Sequence, residues 1–524
     1  MWFRTLFPQN KIKNVSMWLI KIATADRSTS NFLNSSSYPC MHDSMRPSIT
    51  ASRRRARQVA MAKKKSTTSN LLHCRLKTAV CLLAPFLLLA VFVCLQLQTL
   101  GLFPTVARCA GQTAAVDDLV RRLRSFATFH PLKDPREPAA GSWFVSVLND
   151  TSEPDGEAKH LVLPSEASSG RLLCVHAPPG VDATYALAWR DALPLGAALR
   201  PGLAFVSESP YDYNNLWHGL TALAPFASWH ARSGCRAVPA RWALFQRGGA
   251  RMGMSGWLTS LAEATMGVEM AVETFRPPLA TGPVCFEEAV VFRRQMDGLN
   301  RERLRGAFDF MRCKARAHCG VVGVPAGAGN VSRGGAAATE ALRVTLLFRR
   351  GARAFKDEPA VARVFEKECA RVAGCVVTAT HTDNLTFCDQ VRLMSATDVL
   401  ITPHGAQVTN LLFMDQNSSI MEFYPLGWRQ RAGGGQFVYR WMASRAGMRH
   451  EGSWWDPNGE PCPDSTDILS CYKSRQIGHD EAYFAQWAAK VFAAAKERKT
   501  IGGAVRALLE PEERRREAAA CNCT

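Results

Sequence analysis

The sequence predicts an α/β protein of two facing α/β halves, preceded by one membrane-spanning helix near the amino terminus. Three observations carry this prediction. Thr78 to Ala107 contains no charged residue. Downstream, short apolar runs alternate with helical patterns in two blocks, as strands and crossover helices do in parallel sheets. A Gly/Ala-rich stretch, residues 321–339 (VVGVPAGAGNVSRGGAAAT), separates the blocks. With 524 residues the chain can build two or more packed domains.

The span is predicted over residues 78–103, TAVCLLAPFLLLAVFVCLQLQTLGLF, long enough as a helix to cross roughly 30 Å of hydrocarbon. It also explains the net charge of +19. Met1 to Lys77 holds fifteen Lys or Arg against two Asp, which is +13 of that total and leaves +6 for the remainder. A charge concentrated before a span reads as positive-inside, with a cytosolic amino terminus, and argues against nucleic acid as a partner. The runs Arg53–Arg55 and Lys63–Lys65 would also fit a nuclear signal, a weaker reading beside a span. A cleaved signal peptide is disfavoured, because the apolar run is too long and too deep in the chain. Met61, which opens MAKKKSTTSN, is a candidate alternative start.

Thirteen of the 17 cysteines lie beyond the span. On the lumenal side they sit in a disulfide-permissive compartment. Cys313/Cys319, Cys369/Cys375 and Cys462/Cys471 are close enough in sequence to pair. An odd count leaves one cysteine free or bridged between chains, so a homo-oligomer stays open. No C-x-x-C spacing occurs, and no metal site is expected. Sequons at Asn149, Asn330, Asn384, Asn417 and Asn522 fit a glycosylated lumenal surface.

In chain order, residues 1–77 read as a basic polar tail, 78–103 as the span and 104–165 as a stem with an amphipathic stretch at Val116 to Phe129. Residues 166–335 form the first half, with candidate strands RLLCVHA, LAFVSE, ARWALFQ and EEAVVF. Residues 340–500 form the second: strand VTLLF, helix PAVARVFEKECARVAG, strand CVVTAT, helix FCDQVRLMSAT, strand DVLIT, a helix from about Ala406, strand SIMEFY, and a closing helix EAYFAQWAAKVFAAAKE. Residues 501–524 are a tail.

The segment with most chemical content is DVLITPHGAQVTN, Asp398 to Asn410. A buried strand runs into a turn at Pro403, His404 and Gly405, and a helix starts almost at once. Glycine lets a backbone approach a ligand closely. The N–H groups of Ala406, Gln407 and Val408 would then face the strand end, where an anion binds well. Thr409 and Asn410 lie a turn further on, and the next strand carries Glu422, placed to reach a ribose diol. The same residues also make an ordinary strand–helix corner with a packed histidine.

Phe387 to Trp428, FCDQVRLMSATDVLITPHGAQVTNLLFMDQNSSIMEFYPLGW, resembles the carboxyl-half signature of glycosyltransferase family 61, with its HGAG–hydrophobic–TN element and glutamate-bearing strand. NLWHGLTALAPF (Asn215 to Phe226), CFEEAVVF (Cys285 to Phe292) and VTLLFRRGAR (Val344 to Arg353) resemble further family segments in the expected order. The wording PHGAQ is most similar to plant members. The resemblance implies a GT-B fold of two Rossmann-like domains, a UDP-sugar donor and inverting transfer without a required metal; no D-x-D triplet occurs.

The resemblance also assigns roles. Arg349, Arg350 and Arg353 would hold the leaving diphosphate together with Gly405, Ala406 and Gln407. His404, Thr409, Asn410 and Glu422 would form the nucleoside pocket. His218 is the candidate general base, with Asp212, Glu287 and Glu288 in reserve. Trp217, Trp229, Trp441, Trp454 and Trp455 could stack on sugar rings. Two positions depart from the family pattern: Ala222 stands where members often carry an acid, and Gln407 replaces the second glycine of HGAG. The expected protein is a single-pass type II Golgi enzyme with a lumenal catalytic domain and no cofactor. It would transfer a pentose, xylose or arabinose, from a UDP-sugar to a glycan or cell-wall polysaccharide. A non-catalytic glycan- or nucleotide-binding relative and a Golgi scaffold stand as alternatives.

Overall fold

The computed structural model describes residues 107–132, 160–275, 282–292, 298–321, 341–428, 435, 437–463, 468–508, 521 and 523. The expected span, the basic tail and the Gly/Ala-rich stretch from residue 322 lie outside these. Among the described residues no helix is long and apolar enough to cross a membrane. The described chain from Leu123 onward belongs to one compact unit, and residues 107–122 fall outside it. Those residues lie within helix α1 (Ala107–Ser125). This helix covers most of the amphipathic stretch expected in the stem.

The compact unit contains two sheets. The second is wholly parallel and as the sequence predicts. Its strands are β10 (Leu342–Phe348), β11 (Cys375–His381), β12 (Val399–Pro403), β13 (Ser419–Tyr424) and β14 (Arg449–Trp455), in the order β11-β10-β12-β13-β14. Strands β12 and β13 are buried at every residue. That is why both read as continuous apolar runs rather than alternating ones. Strand β14 was not expected: RHEGSWW offers little apolar signal, and it forms by pairing with β13.

The first sheet departs from the expectation of a doubly wound half. Its strands are β1 (His130–Pro131), β2 (His160–Leu163), β3 (Leu172–His176), β4 (Thr184–Ala188), β5 (Ala198–Ser209), β6 (Pro239–Gln246), β7 (Gly249–Arg251), β8 (Ala271–Val272) and β9 (Val284–Phe292). Parallel pairing holds for β5 with β6 and β9, and for β6 with β8. Strands β3, β4, β2 and β7 join antiparallel. The link from β3 to β4, APPGVDA, is too short for a crossover helix, so the chain turns straight back.

The apolar core between the sheets is shared. Phe205, Leu244 and Val290 of the first sheet cluster with Leu347, Leu400 and Ile420 of the second. Helices α2 (Leu216–Arg232), α3 (Gly256–Met266) and α4 (Arg301–His318) fill the space between them. Helix α2 begins where the Asn215 side chain accepts from the Trp217 and His218 N–H groups. Polar bonds cross the same seam. Arg312 Nε donates to the Leu412 carbonyl at 2.8 Å, Arg316 donates to that of Phe413 at 2.6 Å, and Trp257 Nε1 donates to Asn410 Oδ1 at 2.9 Å.

Six disulfides use twelve of the thirteen cysteines that follow residue 103: Cys174–Cys285, Cys235–Cys523, Cys313–Cys521, Cys319–Cys388, Cys369–Cys375 and Cys462–Cys471. Two of the three short-range pairings are present. Cys313/Cys319 is not, because both cysteines sit on one helix end and face different partners. Cys319–Cys388 ties α4 to helix α5 (Phe387–Ser395) of the second half across 69 residues. Opening a loop of that length costs roughly 2–4 kcal/mol of stability. Cys388→Ser should therefore lower the urea midpoint under non-reducing conditions by a corresponding amount; an unchanged midpoint would show that the bridge is not formed.

Candidate functional site

Chain order and spatial order in the second sheet differ at one place. From β10 the chain goes outward to β11, then returns to β12 on the other side and continues to β13 and β14. At such a reversal the connections leave in opposite directions and open a crevice beyond the carboxyl ends of the two central strands. Those strands end at Phe348 and Pro403. The next residues are Arg349 and His404, so both candidate clusters emerge side by side at this point.

The corner after β12 is a 3₁₀-helix, Ala406–Phe413, where an α-helix was expected. Its first bond takes the Val408 N–H to the Gly405 carbonyl at 3.0 Å. Of the three N–H groups expected to receive an anion, Val408 is thus spent within the turn. Gly405 has extended backbone, and its value is space. A Cβ built there would overlap the Arg349 guanidinium and Gln407 Oε1. Arg349 Nη1 lies over the glycine and donates to the His404 carbonyl at 3.0 Å. Gln407 Nε2 donates to the Pro403 carbonyl at 2.7 Å, so its side chain braces the turn that glycine would have left open.

Arg349 and Arg353 are partly buried, and the Nε of each is buried without a partner. Among the described residues neither has a carboxylate partner. Burial lowers the pKa of both, that of Arg353 to about 10 with help from the charge of Arg349. Arg353 stands at φ 62°, a left-handed conformation that costs a non-glycine residue about 1 kcal/mol. Its N–H is anchored to the Arg475 carbonyl at 2.9 Å, and its guanidinium lies 5.1 Å from the Trp428 ring centroid. Arg350, by contrast, is exposed. A cavity of 460 Å³ lies beside the same loop, lined by Gly351, Ala352, Lys356 and Arg475. None of the candidate residues faces it.

Glu422 is fully buried. His404 Nδ1 bonds one of its oxygens at 2.6 Å and His450 Nε2 the other at 2.8 Å. Burial alone would raise the Glu422 carboxyl. The two imidazole bonds outweigh it and hold the group down at about 2. Burial lowers His404. The His404 ring stacks on Tyr424 at 4.7 Å and meets Trp428 at 5.0 Å and Tyr439 at 5.4 Å.

Several candidates take roles other than those expected. Glu422 cannot chelate a ribose diol, because both oxygens are held by imidazoles. Asn410 is a strut: its amide bonds Trp257, Gln390 and the Gln407 carbonyl. Thr409 is fully buried. Asp212 closes a local turn onto Asn214. Glu287 pairs with Arg190 and the Gly202 N–H. The register Leu203↔Glu288 and Val206↔Val291 places Glu287 and Glu288 beside the amino-terminal part of β5, away from the end that leads to His218. Trp229 and Trp454 are packed in the cores, and Trp455 stacks on Tyr424.

His218 fares better. At the start of α2 it stacks on Tyr211 at 4.2 Å, and burial, with the charge of Lys473 nearby, lowers it to about 4. Its neighbour Trp217 meets Tyr439 at 5.7 Å and Trp441 at 6.2 Å. Tyr439 in turn touches His404. Aromatic contacts thus run unbroken from the His218 turn of the first half to the His404 corner of the second. Ala222 is buried in the shared core, so an acid there would face apolar side chains. Sequence reasoning missed His450, Tyr439, Trp428 and Lys473. For His450 a signal existed: it pairs with Ile420, on the same strand face as Glu422, but only if β14 is recognised.

Arg349, Arg353 and His404 thus meet at the switch point of the parallel sheet, where α/β proteins commonly bind their ligands. The sequence model of glycosyltransferase 61 matches residues 159–421, half of the chain. The chain belongs to glycosyltransferase family 61 and is a glycosyltransferase. No curated protein matches it. The matched segment includes Arg349, Arg353 and His404 and stops one residue before Glu422.

The buried groups predict the acid response. His218, His404 and Glu422 all sit below their ordinary values. On acidification the unfolded chain therefore takes up protons that the folded chain refuses. Stability should fall from about pH 6.5 as the histidines titrate in the unfolded state, and further below 4.5 through Glu422. Urea midpoints from pH 7.5 to 4 test this; a flat profile would contradict it, and His218→Gln should remove part of the slope.

Proposed function

We propose that this glycosyltransferase takes its sugar from a UDP-sugar and transfers it with inversion to a glycan, using the crevice between two GT-B-type halves. The observation that carries the reading is the pair Arg349 and Arg353. Two desolvated guanidinium groups with no ion-paired carboxylate among the described residues, although Asp383 acts on Arg349 from a distance, are costly unless an anion completes them. A leaving diphosphate is such an anion and matches guanidinium geometry. Two cations there would stabilise the charge that develops as the glycosidic bond to the diphosphate breaks, so transfer need not depend on a metal. The residues from 340 to 500 would form the donor side and those from 166 to 335 the acceptor side.

Inversion requires one displacement. A base takes the proton of the acceptor hydroxyl, its oxygen bonds the anomeric carbon, and UDP leaves from the opposite face. His218 is the base in this reading. It is neutral at physiological pH and therefore able to accept a proton. With a pKa of about 4 it is weak in the free protein, and the arriving diphosphate would strengthen it. The plant-like wording of the PHGAQ segment favours a pentose, and the basic tail, apolar run and sequons favour a type II Golgi protein with its catalytic unit in the lumen. Asn384 and Asn417 are exposed, as glycosylation sites must be. A second reading, a relative that binds nucleotide or glycan without turnover, draws on Ala222 and the weakness of His218.

UDP release by the full chain across a panel of UDP-sugars and acceptors separates the two. Turnover on any pair supports transfer; UDP binding without turnover supports the second reading. Arg349→Ala or Arg353→Ala should weaken UDP binding about 10- to 100-fold, the range for a charge-assisted contact. Gly405→Ala should weaken it too, by displacing Arg349. His218→Asn should lower kcat by about 10²-fold or more at little cost in donor affinity, and an equal loss in both would remove it as the base. Protection of the catalytic unit from protease in sealed vesicles tests the orientation.

A further inference from the structure

The buried carboxylate of Glu422 has a consequence for the atom that meets the donor. A carboxylate accepts hydrogen bonds and, when ionised, donates none. The oxygen of Glu422 at 2.6 Å from His404 Nδ1 therefore requires the proton on Nδ1. The oxygen at 2.8 Å from His450 Nε2 likewise requires the proton on that nitrogen. With Nδ1 committed, His404 Nε2 is the remaining polar atom of the ring. It has no partner among the described residues, and the side chain keeps 9% exposure. In a neutral imidazole whose Nδ1 carries the proton, Nε2 is an acceptor.

We propose that His404 Nε2 accepts a hydrogen bond from the nucleoside part of the donor, and that Glu422 and His450 are positioning residues that fix its tautomer and orientation. The proposal rests on the reading of a UDP-sugar donor. It moves the contact expected of the glutamate to the histidine beside it. Three features outside the Glu422 pair support the geometry. The ring is clamped by Tyr424, Trp428 and Tyr439. Its own carbonyl is held by Arg349, the diphosphate ligand of the proposed function, so nucleoside and diphosphate contacts would come from adjacent groups of one residue pair. Its position directly after β12 puts it at the mouth of the switch point.

The groups that face His404 set its protonation. Glu422 favours the charged ring, burial and the cations Arg349 and Arg353 oppose it, and the opposing effects prevail. Tyr424 and Tyr439, both raised by burial, remain neutral hydroxyls. His450 lies on the far oxygen of Glu422. The matching chemistry on the ligand is a hydrogen-bond donor. UDP offers two kinds, the ribose hydroxyls and the N3–H of uracil.

The test is UDP affinity of the full chain at several pH values, with UDP, 2′-deoxy-UDP, 3′-deoxy-UDP and N3-methyl-UDP as probes. Wild type should bind UDP more weakly as acid protonates Nε2. It should lose about tenfold for the one analogue that lacks the paired donor, which tells ribose from base. His404→Phe should lose about tenfold for UDP and no longer distinguish that analogue from UDP. Glu422→Gln and His450→Phe should narrow the same discrimination while Arg349-dependent binding persists. A wild type that binds UDP while His404→Phe binds and discriminates equally well overturns this inference alone. A wild type that does not bind UDP overturns the donor reading and this inference with it. A readout without substitution guards against misfolding: the ¹⁵N resonances of His404 should report a bare Nε2 that shifts when UDP is added. A protonated Nε2 in the free protein overturns the proposal.

Discussion

Burial of the short helix Ala406–Phe413 between the two sheets is the constraint on which the rest of the unit depends. Val408, Leu411, Leu412 and Phe413 have no exposure and enter the core shared by both halves. A segment so deep must satisfy its backbone within the protein. The carbonyls of Leu412 and Phe413 do so by accepting from Arg312 and Arg316 of α4, and the Asn410 side-chain oxygen accepts from Trp257 of α3. The corner that presents His404 and Gly405 is therefore held from the first half as well as from its own sheet. A site built on such a corner has its geometry set before any ligand arrives.

The second half was legible because its physics is local. Buried parallel strands such as VTLLF and DVLIT are runs of apolar residues, and the helices Glu358–Ala370 and Phe387–Ser395 have their own period, so these links could be read in isolation. The first half was legible only in part. RLLCVHA and ATYALA give the same strand signal whether they pair parallel or antiparallel, and the seven-residue link between them was the clue to a mixed sheet. Strand β14 could not be seen because Arg449, His450 and Glu451 are polar; it is drawn into the sheet by β13 and by the carboxylate it helps to bury.

At the site, residue types were read more reliably than residue roles. The arginines, the glycine and the histidine stand together as their spacing suggested. Whether a polar side chain faces a ligand or the protein is decided by neighbours distant in sequence. Asn410 is consumed by a tryptophan 153 residues away, Glu422 by a histidine on a strand that gave no signal, and Glu287 by a bulge in β5. Sequence alone could rank these residues as chemically able. Only the packing shows which of them have atoms left to give.

Cys521 and Cys523 lie beyond the second half in the chain but are bonded to Cys313 and Cys235 in the first. During synthesis these partners leave the ribosome far ahead of the segment that completes them. Cys235 must wait through 288 residues, and Cys313 through 208. For that interval both thiols are open to the wrong partners, among them Cys319, six residues from Cys313. Maturation of this protein thus waits on its last two cysteines, and its yield should depend on how well early mispairings are corrected.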